Sequence, residues 1–216
     1  PAGTYTVTEP AVAGYEASYE NCAGIVVGNG ETKTCTITNK DTIPPTVDVQ
    51  KTVRVAGTED AFAETASAPE SSATFEYRVV VWNKSTEAVT LTTLTDTIGA
   101  VVTDLDGKGS CSVPQALAGS DGSSGGPDTY VCTFQLAFSG NAGASQTDTV
   151  KATVKDDEND TSTDEDDARV SLTDRASSIE VTKTADPTTI DESLNGSDVT
   201  YTVVVKNTST VDAVSI

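Results

Sequence analysis

The chain has 216 residues, 33 acidic against 13 basic, no His and a formal net charge of -20. Such a balance repels phosphate backbones and anionic head groups, which argues against nucleic acid as a partner and against direct membrane insertion. Without His, neither a Ser-His-Asp nor a Cys-His nucleophile can be assembled, and we read the chain as not an enzyme. Paired carboxylates of the glycosidase kind need no His, and two such acids can meet in space from anywhere in the chain.

Thr occurs 36 times and Val 26 times, more than a quarter of the chain. Both are β-branched and favour pleated strands. Apolar residues alternate with period two again and again and nowhere keep a helical spacing, so an all-β fold is expected.

The opening residues, 1–42, read as the closing strands of a small β module. TYTVTE alternates cleanly, and IVVGNGETKTCTITN carries a hairpin signature with Gly28, Asn29 and Gly30 at its tip. The four Cys fall in two pairs, Cys22 with Cys35 and Cys111 with Cys132, and none has a C-x-x-C spacing. In an acidic, β-rich chain without His an even Cys count predicts two disulfides and an oxidising compartment outside the cytoplasm. Cys22 and Cys35 would join neighbouring strands.

Pro44 and Pro45 mark a linker, because Pro fixes φ and removes a donor. From there to residue 175 comes a run of strands suited to one complete sandwich. In TYVCTFQLAF the residues Tyr130, Cys132, Phe134, Leu136 and Phe138 share the core face. Two loops interrupt the run: a Gly- and Ser-rich stretch at 116–128, and DDENDTSTDEDD at 156–167.

After Asp174 the pattern starts again. SIEVTKTADP aligns with TVDVQKTVRV, placing Lys183 over Lys51, and YTVVVKNTSTVDAVS aligns with YRVVVWNKSTEAVTL, placing Tyr201 over Tyr77 and Asn207 over Asn83. Residues 176–216 are thus expected to be the N-terminal part of a second repeat, and the chain reads as an excerpt of a longer protein whose open ends neighbouring domains or subunits complete. Lys51 and Lys183 are read as charges protecting strand edges.

At these motifs the chain resembles two families of bacterial surface modules. The K-T repeats, YRVVVWN and YTVVVKN, L-T-D-T and the GSCSVPQALAG to YVCTFQLAFSGNAG stretch resemble the immunoglobulin-like repeat family called domain of unknown function eleven. TYTVTEPAVAGY and CTITNKD are similar to the closing strands of SpaA-like, prealbumin-type (Cna B-type) modules. The resemblances imply tandem immunoglobulin-like β-sandwich modules, 43–175 and 176–216, behind a partial prealbumin-like module, displayed on a cell as a stalk or fibre. In some SpaA-like domains a Lys and an Asn form an intramolecular isopeptide bond beside an acidic residue. By motif position Glu9 would be the acid and Asn39 the amide partner, with the Lys upstream of Pro1; alternatively Asn39 is an ordinary strand-end residue.

Within 156–167, Asp156, Asp157, Glu158, Asp160, Asp164, Glu165, Asp166 and Asp167 place eight carboxylates in twelve residues. The stretch reads either as a solvated acidic loop or as a calcium site, since calcium takes six to eight oxygens; it lacks the Gly and closing Glu of an EF-hand. Calcium is the one cofactor the sequence suggests. Sequons begin at Asn83, Asn159, Asn195 and Asn207, and turn formation accounts for them without glycans. The sequence therefore predicts an extracellular structural module whose partners are adjacent domains or copies of itself, or alternatively a calcium-stabilised adhesin binding a host, matrix or glycan ligand through its loops.

Overall fold

A computed structural model describes residues 1–192, 198–213 and 215, so the sequon at Asn195 lies outside the described residues. The fold is all-β, as the alternation requires; among the described residues no helix is long and apolar enough to cross a membrane. The strands are β1 (Gly3–Tyr5), β2 (Tyr15–Glu20), β3 (Ile25–Val27), β4 (Thr36–Asp41), β5 (Val47–Val55), β6 (Thr65–Pro69), β7 (Ser71–Asn83) and β8 (Val89–Ile98). They continue with β9 (Val101–Asp104), β10 (Gln115–Leu117), β11 (Thr129–Gly140), β12 (Ser145–Lys155), β13 (Thr161–Thr173), β14 (Ile179–Asp186) and β15 (Thr200–Asn207).

A six-stranded sheet has the order β10-β8-β12-β13-β6, with β9 also on β8, and a three-stranded sheet has the order β11-β7-β5. Three two-stranded sheets, β1-β3, β2-β4 and β14-β15, complete the set. β12 pairs antiparallel with β8, setting Val150 opposite Asp96 and Asp148 opposite Ile98. The register slips where Thr153 faces Thr93 but Val154 faces Leu91. This bulge inserts one residue into β8, so that Leu91 and Leu94 both turn inward.

The chain divides into two compact units, each drawn from three segments. The first comprises Pro1–Thr52, Arg78–Phe134 and Asp148–Ala168. Its buried apolar residues include Val49, Val79, Val81, Leu91, Leu94, Leu105, Val150 and Val154. The second comprises Val53–Tyr77, Gln135–Thr147 and Arg169–Ile216, with Val53, Phe75, Tyr77, Val170 and Leu172 buried. Each such side chain removed from water contributes roughly 1.5–3 kcal/mol. In β11, Cys132 and Phe134 are buried while Val131, Thr133 and Gln135 are wetter, as the alternation predicts.

Two local expectations change. The hairpin expected across residues 25–38 does not form: β3 pairs with β1, while β4 pairs with β2. Glu31 does close the tip onto Gly28, its N–H donating to the Gly28 carbonyl at 3.2 Å, but eight residues separate β3 from β4. The Cys22–Cys35 bridge, with Cα atoms 4.8 Å apart, sits beside the Glu20–Thr36 pair and holds β4 on β2. The second change is in 156–167, which is a loop only in its first part; β13 begins at Thr161 and carries Asp164, Glu165, Asp166 and Asp167 as strand residues. Strand alternation thus outweighs the charge run: Asp164 and Asp166 are half-buried, while Glu165 and Asp167 face water.

Candidate functional site

The feature that stands out chemically is set in three period-two rows of inward residues, and its ionisable members all lie in the first unit. On β5 the row is Val49, Lys51, Val53; on β8, beyond the bulge, Leu94 and Asp96; on β12, Asp148, Val150, Ala152, Val154. In each row one ionisable residue stands where an apolar one would serve packing. Asp96 and Asp148 lie on one face of the β8/β12 pair, diagonal neighbours because Asp96 is opposite Val150. Lys51 reaches them from the three-stranded sheet. Its Nζ donates to Asp96 Oδ1 at 2.5 Å and lies 3.9 Å from Asp148 Oδ2. The Phe134 ring closes another side, its centroid 5.5 Å from Nζ. All three polar side chains are buried, Lys51 and Asp148 completely.

Removing these charges from water is expensive, and the mutual attraction offsets only part of the cost. Burial pushes the Lys51 ammonium below its ordinary pKa, against the pull of Asp96, Asp148 and Asp167. Burial likewise pushes the Asp96 carboxyl up, opposed by Lys51 and assisted by Asp148. On both sides burial works against the charged form, and the hydrogen bond and mutual attraction work for it. The reading of Lys51 as an edge-protecting charge is therefore corrected: edge protection on β5 comes from acids. The backbone N–H groups of Val49 and Lys51 donate to Asp164 Oδ2 at 2.8 Å and Asp166 Oδ2 at 2.7 Å. Two N–H groups spaced by two residues point the same way from an edge strand, and β13 supplies two carboxylates at the same spacing. Lys183, by contrast, is exposed, with its Nζ 4.2 Å from the Tyr201 ring centroid.

The eight acids of 156–167 do not converge on one point. Asp156 is buried and caps its own turn, Oδ1 accepting the Asp160 N–H at 2.7 Å, while Asn159 takes a positive φ of 73° that suits Asn. Asp157 and Glu158 meet Glu87, with carboxylate oxygens all within 4.8 Å of one another. Burial, then the carboxylates of Asp41 and Asp156, raise the Glu87 pKa, and the hydrogen bond with Asp157 raises that of Glu158. A second trio with the same spacing, Glu70, Asp174 and Asp212, lies in the second unit and was not expected. Its members are far apart in sequence, and no local pattern marks them. Glu70 is committed to the backbone: Oε2 accepts the Ala142 N–H at 2.8 Å and Oε1 the Arg175 N–H at 3.1 Å.

Glu9 is half-buried, its N–H donating to the Tyr19 hydroxyl at 3.4 Å, and Asn39 is exposed on β4 opposite Ala17. Among the described residues no hydrogen bond joins Glu9 to Asn39. Cys111 and Cys132 are bonded, their Cα atoms 4.9 Å apart, tying the loop before β10 to β11. The sequon Asn residues make turns. Asn83 Nδ2 donates to the carbonyls of Glu87 and Ala118 at 2.7 and 2.8 Å, and Asn207 Nδ2 to that of Asp212 at 2.8 Å. The repeat extends to neighbouring atoms: Ser85 Oγ accepts the Thr46 N–H at 2.7 Å and Ser209 Oγ the Ser178 N–H at 2.7 Å.

No family model and no curated protein matches the chain. Among solved structures, it is similar to the crystal structure of the ApaA protein of Bordetella pertussis, at 15% identity and a TM-score of 0.41, over 60% of this chain and 95% of that one. It is also similar to the structural-genomics target SoR45, at 10% identity and a TM-score of 0.38, over 58% of this chain and 86% of that one.

Proposed function

We propose that the chain is a structural module of an extracellular bacterial surface stalk, fibre or filament built from tandem immunoglobulin-like β-sandwich domains, not an enzyme. The observation that carries this reading is the repeated strand-and-turn unit: β5, β7 and the Asn83–Ser85 turn are reproduced by β14, β15 and the Asn207–Ser209 turn, with the same Ser Oγ and Asn Oδ1 acceptors. Repetition of one β unit lengthens a protein without a larger core, which suits a spacer. Two disulfides fit an oxidising location. In the second copy Val181 and Val203 are 56% and 55% exposed, an apolar face that an adjacent domain or another copy would cover. The test is brief protease treatment of intact cells, with peptide mapping and thiol labelling of what is released. Peptides of this chain should appear in the shaved fraction, derived from a species much heavier than the chain, with all four Cys unreactive. Recovery only from lysed cells, with free thiols, would sink the proposal.

A second reading, a calcium-stabilised adhesin module binding a host, matrix or glycan ligand through its loops, is favoured by the Glu87, Asp157 and Glu158 group. It requires the melting temperature to rise in millimolar calcium and the rise to vanish in Glu87→Gln.

A further inference from the structure

We propose that Lys51 and Asp96 are joined by an intramolecular amide bond, Nζ to Cγ, formed by the folded chain itself with Asp148 moving the protons. The inference stands on the three buried side chains, whatever the place of the chain on a cell. Nζ sits 2.5 Å from Asp96 Oδ1, in direct hydrogen-bond contact with the carboxyl group before any reaction. Holding two reactants in this way is equivalent to effective concentrations of roughly 10⁵–10⁸ M. In water an amine and a carboxylic acid rest as ammonium and carboxylate, which do not condense. Here burial disfavours both ions, which lowers the cost of reaching the reactive neutral pair relative to water. The surroundings also keep out the water that would reverse the step: Lys51 and Asp148 have no exposed side-chain surface and Phe134 flanks the amine.

The step balances without any co-reactant. The neutral Lys51 amine attacks Cγ of protonated Asp96, forming the C–N bond as the C=O electron pair moves onto oxygen. The Asp148 carboxylate, 3.9 Å from Nζ, accepts a proton from the attacking nitrogen and returns it to the departing hydroxyl. The C–O bond breaks, the carbonyl re-forms and one water leaves; nothing is oxidised or reduced. Each molecule reacts once. The product ties β5 of the three-stranded sheet to β8 of the six-stranded sheet, across 45 residues of sequence.

The test is the intact mass of the full chain, denatured with its disulfides reduced, followed by tryptic mapping. The expected mass is that of the sequence less one water. The loss should map to a branched peptide joining residues 41–54, uncut after Lys51, to residues 85–108. Full sequence mass would overturn the proposal. So would a water loss confined to an unbranched 85–108 peptide, the signature of a succinimide at Asp106-Gly107. Asp148→Asn, checked for β structure by circular dichroism, should remain at full mass or link about 10²-fold more slowly. A folded Asp148→Asn chain that links as fast as the wild type would overturn the role given to Asp148.

Discussion

The pairs β5/β7 and β14/β15 share a motif, a turn network and a strand direction, yet they end in opposite environments. Val49 and Val79 are 5% and 0% exposed, whereas their counterparts Val181 and Val203 are 56% and 55% exposed. Lys51 is sealed between two aspartates, whereas Lys183 lies in water over Tyr201. The difference teaches that alternation and turn chemistry are sufficient to define a strand pair, but burial belongs to the opposing layer. In the first copy that layer is the β8/β12 face, which brings Leu94, Val150 and both aspartates. Among the described residues the second copy has no equivalent face.

Substitutions at paired positions can break this comparison. The largest effect is expected from Asp96→Ala, which leaves buried Lys51 with the more distant Asp148 and should cost about 3–5 kcal/mol in denaturant unfolding. Its foil, Lys183→Ala, should fall within roughly 0.5 kcal/mol of wild type, as for other surface changes. Equal losses at the two sites would mean that the copies are not as different as their burial indicates. Next, Asn83→Ala abandons two half-buried carbonyl acceptors and the Ser85 N–H, and should cost about 2–3 kcal/mol by chemical denaturation. Asn207→Ala, on an exposed turn, should cost clearly less.

A smaller effect, about 1 kcal/mol, is expected from Asp164→Ala, which uncaps the Val49 N–H; hydrogen exchange of that amide should speed up while the β12 amides hold. The smallest concerns the start of the second copy. Backbone hydrogen bonds from Arg175 and Ala142 hold the Glu70 carboxyl below its ordinary value of 4.5. A depressed pKa means that the fold favours the carboxylate, so this stabilisation is full above pH 4.5 and disappears as pH falls through the depressed value. Glu70→Gln should lower the melting temperature at neutral pH, and the gap from wild type should close in acid. A gap independent of pH would leave the charge of Glu70 no part in the effect.

Much of the fold is legible in the sequence, because β-branched residues at period two make strands whatever the partner. The disulfides, the repeat and the inward face of β11 follow from the same local rules. The row Val49-Lys51-Val53 even places Lys51 inside, and Asp148-Val150-Ala152 does the same for Asp148; expecting charge at the surface hid both. Asp96 is harder, because the bulge near Thr92 shifts the parity of β8 and only the pairing with β12 reveals it. The charge run of 156–167 masks the strand within it, where Asp164, Asp166, Ala168, Val170 and Leu172 form one inward row. Pairings between distant strands, such as β8 with β12 or β6 parallel to β13, leave no local trace.

The acceptance of two β5 amides by Asp164 and Asp166 also guards one edge of the three-stranded sheet. An arriving strand needs a row of open donors and acceptors, and on this side two of the donors already hold charged oxygens stronger than any incoming carbonyl. The sheet cannot be extended there without evicting both carboxylates. Strand addition along β5 therefore costs two charge-assisted hydrogen bonds that a bare edge would not hold.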